Sequence, residues 1–81
     1  MKTNEWEKMI RTKLGRAIRE LRLAHQLNQE EFGQRIGISS TQVSQYEQAK
    51  VLPSIITLYR IAIQFGVSLD TLLGLSTSKK L

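Results

Sequence analysis

Cysteine is absent from this 81-residue chain. Disulfides and thiolate metal sites are therefore excluded as sources of stability. There is a single histidine, His25, which cannot build a metal site alone, so no metal and no cofactor is expected. No apolar run approaches the ~20 residues that span a bilayer. The first residues, Met1-Lys2-Thr3-Asn4, lead into charge rather than into an apolar signal core. A cytoplasmic location and no membrane association are expected. One proline, Pro53, and five glycines leave long segments free of helix breakers. No stretch alternates with period two and β-branched enrichment, so no strands are expected. Neither a paired acid beside a nucleophile nor a glycine-rich phosphate loop is visible, which argues against an enzyme.

Lysine and arginine number 12 against 7 acidic residues, a net charge of +5. That balance suits a polyanion partner. Placement is more informative than the total. Arg11, Lys13, Arg16, Arg19 and Arg22 cluster in the first half, and Lys50 stands alone later.

The stretch from Asn28 to Glu47 organises the rest. Asn28 and Glu31 have capping-box spacing, and Phe32, Arg35 and Ile36 follow on one helical stripe. Gly37 suits a left-handed stop, Ile38 plugs the turn, and Ser39 caps a second helix from Ser40. In that helix Val43 and Tyr46 face inward. Ser40, Thr41, Gln42, Ser44 and Gln45 are left outside, polar, uncharged and able both to donate and to accept hydrogen bonds. A merely solvated face more often carries Lys and Glu. Gln pairs with the adenine edge, and Ser or Thr contacts any base or a thymine methyl.

Around this stretch the pattern is helical throughout. Asn4 and Glu7 again have capping-box spacing, and a first helix is expected from about Glu5 to Ala24. Its stripe is Trp6, Met9/Ile10, Leu14, Ala17/Ile18 and Leu21, with Trp6 and Met9 expected on the core and a dimer contact as the sharper alternative. Gly15 weakens that helix by about 1 kcal/mol and leaves a break, with a separate short helix before it, as one reading. His25 follows near the helix C-terminus, most simply as an exposed loop residue. Pro53 and Ser54 open a helix whose stripe reads Ile55, Leu58, Tyr59, Ala62 and Phe65 up to Gly66. Ser68 opens a last short helix with Leu69, Leu72 and Leu73, stopped by Gly74.

These marks resemble the Cro/repressor-type (Xre-like) helix-turn-helix family, over roughly Leu14 to Leu73. They are Leu14-Gly15, Arg19, Leu21-Arg22, Leu27 to Phe32, Gly37-Ile38-Ser39, Val43-Ser44, Glu47, Pro53-Ser54, Leu58, Ile61-Ala62, Gly66-Val67-Ser68 and Leu72-Leu73. The resemblance implies an all-α, compact five-helix domain whose first helix begins near Leu14, which leaves residues 4–13 as an N-terminal helical extension with an open role. One domain over 1–81 is expected, with its core at 14–74, the helix-turn-helix at 28–47 and a frayed tail at 75–81. It implies a sequence-specific transcriptional regulator, a repressor, that binds double-stranded DNA through the major groove as a homodimer on a palindromic operator. A protein-interaction module such as an antitoxin, with a protein partner, is the competing class.

By the same resemblance Ser40, Thr41 and Gln45, then Gln42 and Ser44, read bases. Gln29 and Lys50, then Arg16 and Arg19, meet phosphates. Arg22 and Glu47 match the family's structural ion pair. Three departures stand out. Gly33 replaces the usual Ala where two helices cross. Ala49 stands where Gly is frequent, which predicts an altered loop path. Val51 and Leu52 replace polar or basic residues, which marks them, with Leu69 and Leu75, as the dimer contact. The plainer alternative has Leu52 tucked beside Pro53.

Overall fold

In the computed structural model, residues 2–75 are described. They form five helices: α1 (Thr3–Ala24), α2 (Gln29–Ile36), α3 (Ser40–Glu47), α4 (Ile55–Phe65) and α5 (Leu69–Leu73). No strand occurs among the described residues. None of these helices is long and apolar enough to cross a membrane. The expected frayed tail lies, beyond Leu75, outside the described residues.

The helix boundaries follow local chemistry. Asn28 Oδ1 accepts from the Glu31 amide at 2.7 Å, and the Glu31 carboxylate accepts from the Asn28 amide at 2.9 Å. Ser39 and Gln42 repeat the reciprocal pair at 3.1 and 3.3 Å. Ser54 and Ser68 cap α4 and α5 through the amides of Thr57 and Thr71, both at 3.1 Å. Each arrangement satisfies N–H groups that the first helical turn leaves free. Gly37, at φ 76°, ends α2 in the left-handed region.

Phe32, Leu14, Ile18, Ile61, Leu72 and Val43 are fully buried and form the centre of the core. Phe65 stacks on Phe32 with ring centroids 4.8 Å apart, and His25 meets the Phe65 ring edge-on at 4.9 Å. Arg35 lies across the other aromatic surface, its guanidinium 5.8 Å from the Phe65 centroid.

Three expectations fail here, and the alternative of a break at Gly15 falls away, each for a physical reason. α1 starts at Thr3, not at Glu5 behind an Asn4 cap; the Glu5 carboxylate accepts from the Lys2 amide at 3.1 Å instead. α1 also runs unbroken through Gly15. A Cβ there would run into the Tyr46 carbonyl oxygen, so the glycine is a point of close helix approach and not a break. Trp6 and Met9 are exposed rather than in the core, because the stripe meets the core only from Ile10 onward. Ile55 and Tyr59 are exposed as well, and α4 is seated instead through Thr57, Leu58, Ile61 and Phe65. Gly33 does need to be small, but against the turn and not against α3 itself: a Cβ on it would meet the Ile38 carbonyl in the turn between α2 and α3.

Candidate nucleic-acid interface

α3 is held at both ends. At its start the Ser39/Gln42 box fixes the turn from α2. At its end Glu47 is buried, with its side chain 2% exposed. The Arg22 guanidinium donates from Nε to Glu47 Oε2 at 2.6 Å and from Nη2 to Oε1 at 3.0 Å, a two-pronged pairing. Arg22 Nη1 also donates to the Leu27 carbonyl at 3.0 Å. The hydrogen bonds to Glu47 push the Arg22 pKa further above its usual value; burial opposes this, and the carboxylate's charge adds to it. The expected ion pair between α1 and the end of α3 is therefore formed.

Gln29 joins the same cluster, its Nε2 donating to Glu47 Oε1 at 3.1 Å. Sequence reasoning assigned Gln29 to a phosphate. In the structure one of its amide hydrogens is engaged, and the second remains at the start of α2. Glu30 and Glu31 flank it in that first turn.

Between these fixed ends, the outer side of α3 is open. Ser40, Thr41, Gln42 and Gln45 are exposed and Ser44 is half-buried. Gln42 spends its side-chain oxygen on the Ser39 amide, and Ser44 Oγ accepts from Gln48 at 2.7 Å. The side chains of Ser40, Thr41 and Gln45 make no hydrogen bond among the described residues, so their groups are available to a ligand.

The loop after α3 carries two features. Ala49 does take a left-handed conformation, φ 60°, so the altered path expected from the missing glycine does not occur. The Lys50 amide donates back to the Gln45 carbonyl at 2.9 Å, which closes the end of α3 around Ala49. Arg11, which sequence reasoning left without a role, donates from Nε to the Ala49 carbonyl at 3.0 Å. It is itself paired with Glu7 at 3.3 Å. These residues are 38 apart in sequence, and no local pattern announces the contact. Lys50, Val51 and Leu52 follow, all exposed.

On α1, Gly15 and Arg22 mark the side against α3. Arg19 lies on that side by helical spacing and is exposed. Arg16 is turned about 100° from Gly15. It lines a cleft of about 270 Å³ with Lys13, Glu20 and Thr71, between α1 and α5. The four phosphate candidates are thus not gathered on one face: Gln29, Lys50 and Arg19 surround α3, and Arg16 sits apart.

A helix presented by a capped tight turn, with free hydrogen-bonding groups outside and an ion pair behind, has the form of the second helix of a helix-turn-helix. A helix-turn-helix family model matches residues 18–72. The chain belongs to the Xre/Cro-type helix-turn-helix family. Members of this family are DNA-binding transcriptional regulators. The ImmF control region 10 kDa protein of Bacillus phage phi105 is 40% identical over 60 residues, 74% of this chain and 67% of that protein. The uncharacterized HTH-type transcriptional regulator YobD of Bacillus subtilis (strain 168) is 36% identical over 59 residues, 73% of this chain. The chain spans about half the length of YobD, 53%, and about two-thirds of the phage protein. No solved structure matches significantly.

Proposed function

We propose that this family member is a repressor that reads a palindromic operator through the major groove as a homodimer. The observation that carries the reading is the open side of α3. Its free groups belong to Ser40, Thr41 and Gln45, with Gln42 and Ser44 beside them in capping and local bonds. Uncharged donors and acceptors at the start of a fixed helix suit base edges better than they suit solvent. Phosphates are assigned to the second Gln29 N–H and the amides of the α2 N-terminus, to Lys50 and to Arg19, with Arg16 in a lesser role. A relative named for a control region and another named as a transcriptional regulator support a regulatory role.

A single α3 of eight residues meets only a few base pairs. Two-fold pairing of two such helices, about 34 Å or 10 bp apart, supplies a useful operator. Val51, Leu52, Leu69 and Leu75 are all exposed, as a dimer contact requires.

Selection of binding sites from random duplexes tests this directly. The expected product is a motif of two inverted half-sites about 10 bp apart. Recovery of unenriched sequence would reject base reading. Enrichment of a single asymmetric half-site would reject the palindrome. Gln45→Ala and Thr41→Ala should each relax preference at one position in every half-site and leave nonspecific binding nearly intact.

A further inference from the structure

Among the 11 residues of α4, only Thr57, Arg60 and Gln64 are polar. A helix apolar nearly all round belongs in an interior, with cover on every apolar side. In this fold only one side is covered, by way of Thr57, Leu58, Ile61 and Phe65. On the other side Ile55 is 69% exposed, Ile56 60%, Tyr59 67% and Ile63 62%. Ile55, Tyr59 and Ile63 follow at four-residue spacing, and Ile56 lies beside Tyr59, three residues before it. The stripe is about 12 Å long. It continues into a cleft of about 160 Å³ lined by Ile55, Leu58, Tyr59, Ala62 and Leu69. Isolated surface hydrophobics need no explanation, but a contiguous band of this kind does.

We infer that this stripe of α4 is the face on which a second copy of the chain docks, with Tyr59 near the two-fold axis. The inference rests on the dimeric reading above and moves the centre of the interface from the loop to α4. Three observations select a second copy as the occupant. First, the stripe itself carries no charge, and Arg60, which flanks it between Ile56 and Ile63, is turned toward α2, where Nη1 donates to the Ile36 carbonyl at 3.3 Å. An isologous contact sets each residue near its own equivalent, so a charged face would repel its copy. In a chain of net charge +5, this face is one where two copies meet without repulsion. Second, the size fits. The exposed parts of Ile55, Ile56, Tyr59, Ile63, Leu52 and Leu69 amount to roughly 600 Å², against ~800 Å² per partner in a stable interface. That deficit implies a modest dimer, reinforced when both copies sit on one operator. Third, α4 follows α3 after a short loop, so a symmetric contact through α4 links two reading helices by a few residues of capped backbone.

The test uses mass and covalent capture, on and off DNA. The wild-type chain should sediment as a monomer–dimer equilibrium at micromolar to millimolar concentration. Ile56→Asp/Ile63→Asp should weaken self-association by about 100-fold or more, since each buried charge costs at least a factor of ten. Both positions are exposed, and an acidic residue at Ile56 favours the helix N-terminus, so circular dichroism and binding to a single half-site should be retained. The absence of cysteine gives an independent arm. Tyr59→Cys should oxidise to a disulfide-linked dimer, and Gln34→Cys, on exposed α2, should not. A wild type that stays monomeric up to millimolar concentration, and whose Tyr59→Cys variant does not cross-link, would overturn the inference and leave the stripe to an unrelated protein. A dimer unchanged by the double substitution would overturn it too. Loss of all duplex binding with dimer and cross-link intact would sustain this interface and remove the DNA reading instead.

Discussion

Removing Arg22 tests the cluster that holds α3 in place. Arg22→Ala deletes two hydrogen bonds to Glu47 and one to the Leu27 carbonyl. It strands a carboxylate whose side chain is 2% exposed, with one neutral donor, Gln29, still on it. Breaking a buried pair in this way costs about 3–5 kcal/mol, out of a typical total of about 5–15. Glu47→Ala should cost less, at the lower end of that range, because Arg22 keeps Leu27 and its long stem can turn toward water. Arg22→Met/Glu47→Leu strands no charge, leaves only the Leu27 carbonyl and the Gln29 amide without their partners, and should cost less than either single substitution. Urea melts with a shared slope read these differences as midpoint shifts. The cycle closed with Arg22→Ala/Glu47→Ala then gives the coupling. Near-neutral melts sample the intact pair. The Arg22 pKa is raised by folding, so its contribution is full below the ordinary arginine value and is lost only as pH rises through the still higher folded value. Strictly additive single-mutant costs, or costs under about 1 kcal/mol each, would refute the argument.

Lys50→Ala should weaken all duplex sequences alike and flatten the dependence of log affinity on log salt by about one unit, as binding titrations at several salt concentrations would read. Gly15→Ala should destabilise the fold by about 1 kcal/mol, although alanine is the better helix former by about that amount, because overpacking against the Tyr46 carbonyl costs about 1–3. A stabilised variant in thermal melts would show that α1 and α3 separate easily. Arg11→Ala should lower the melting temperature by about 4–8 °C, for roughly 1 kcal/mol lost, and speed hydrogen exchange at the Lys50 amide. Unchanged exchange would mean that the loop holds its left-handed turn without the extension.

What was legible in the sequence was what is local. Asn28, Ser39, Ser54 and Ser68 each cap the helix they precede, and Gly37, Gly66 and Gly74 each take the left-handed stop. Both signals act within four residues, so no tertiary knowledge is needed. The open side of α3 was legible for a similar reason: Val43 and Tyr46 fix the inward side by spacing alone. The side of α4 was not. Periodicity identifies a face only when the other face is polar, and α4 offers apolar residues on both. Gly15 misled because its helix penalty is local, whereas its reason, backbone contact with Tyr46 and Glu47, lies in a helix about 30 residues away. Ala49 misled in the opposite sense. Its left-handed backbone is unfavourable for alanine, yet the Lys50 amide and the Arg11 guanidinium both bond across that turn and hold it.

Glu47 ties this local order to the reading surface. It ends α3, and it accepts from α1 through Arg22 and from the first residue of α2 through Gln29. Arg22 in turn fixes the α1–α2 connection at Leu27. Both ends of the turn-linked helices are thereby referred to one buried carboxylate. A groove-reading helix needs this, because a shift of about 1 Å takes a side-chain amide out of hydrogen-bond range of a base edge. The arrangement also couples two kinds of contact. On the proposed DNA reading, a phosphate at the start of α2 would draw on Gln29, whose other hydrogen is committed to Glu47, at the far end of the helix assigned to the bases. Gln29→Ala should therefore affect more than a lone phosphate contact would. Overall affinity should drop, and discrimination between operator and mutated operator should narrow as well, since Glu47 loses the donor that holds it toward α2. Competition binding with both duplexes separates the two effects. A uniform loss across sequences would confine Gln29 to the phosphate and leave Arg22 as the sole orienting partner of Glu47.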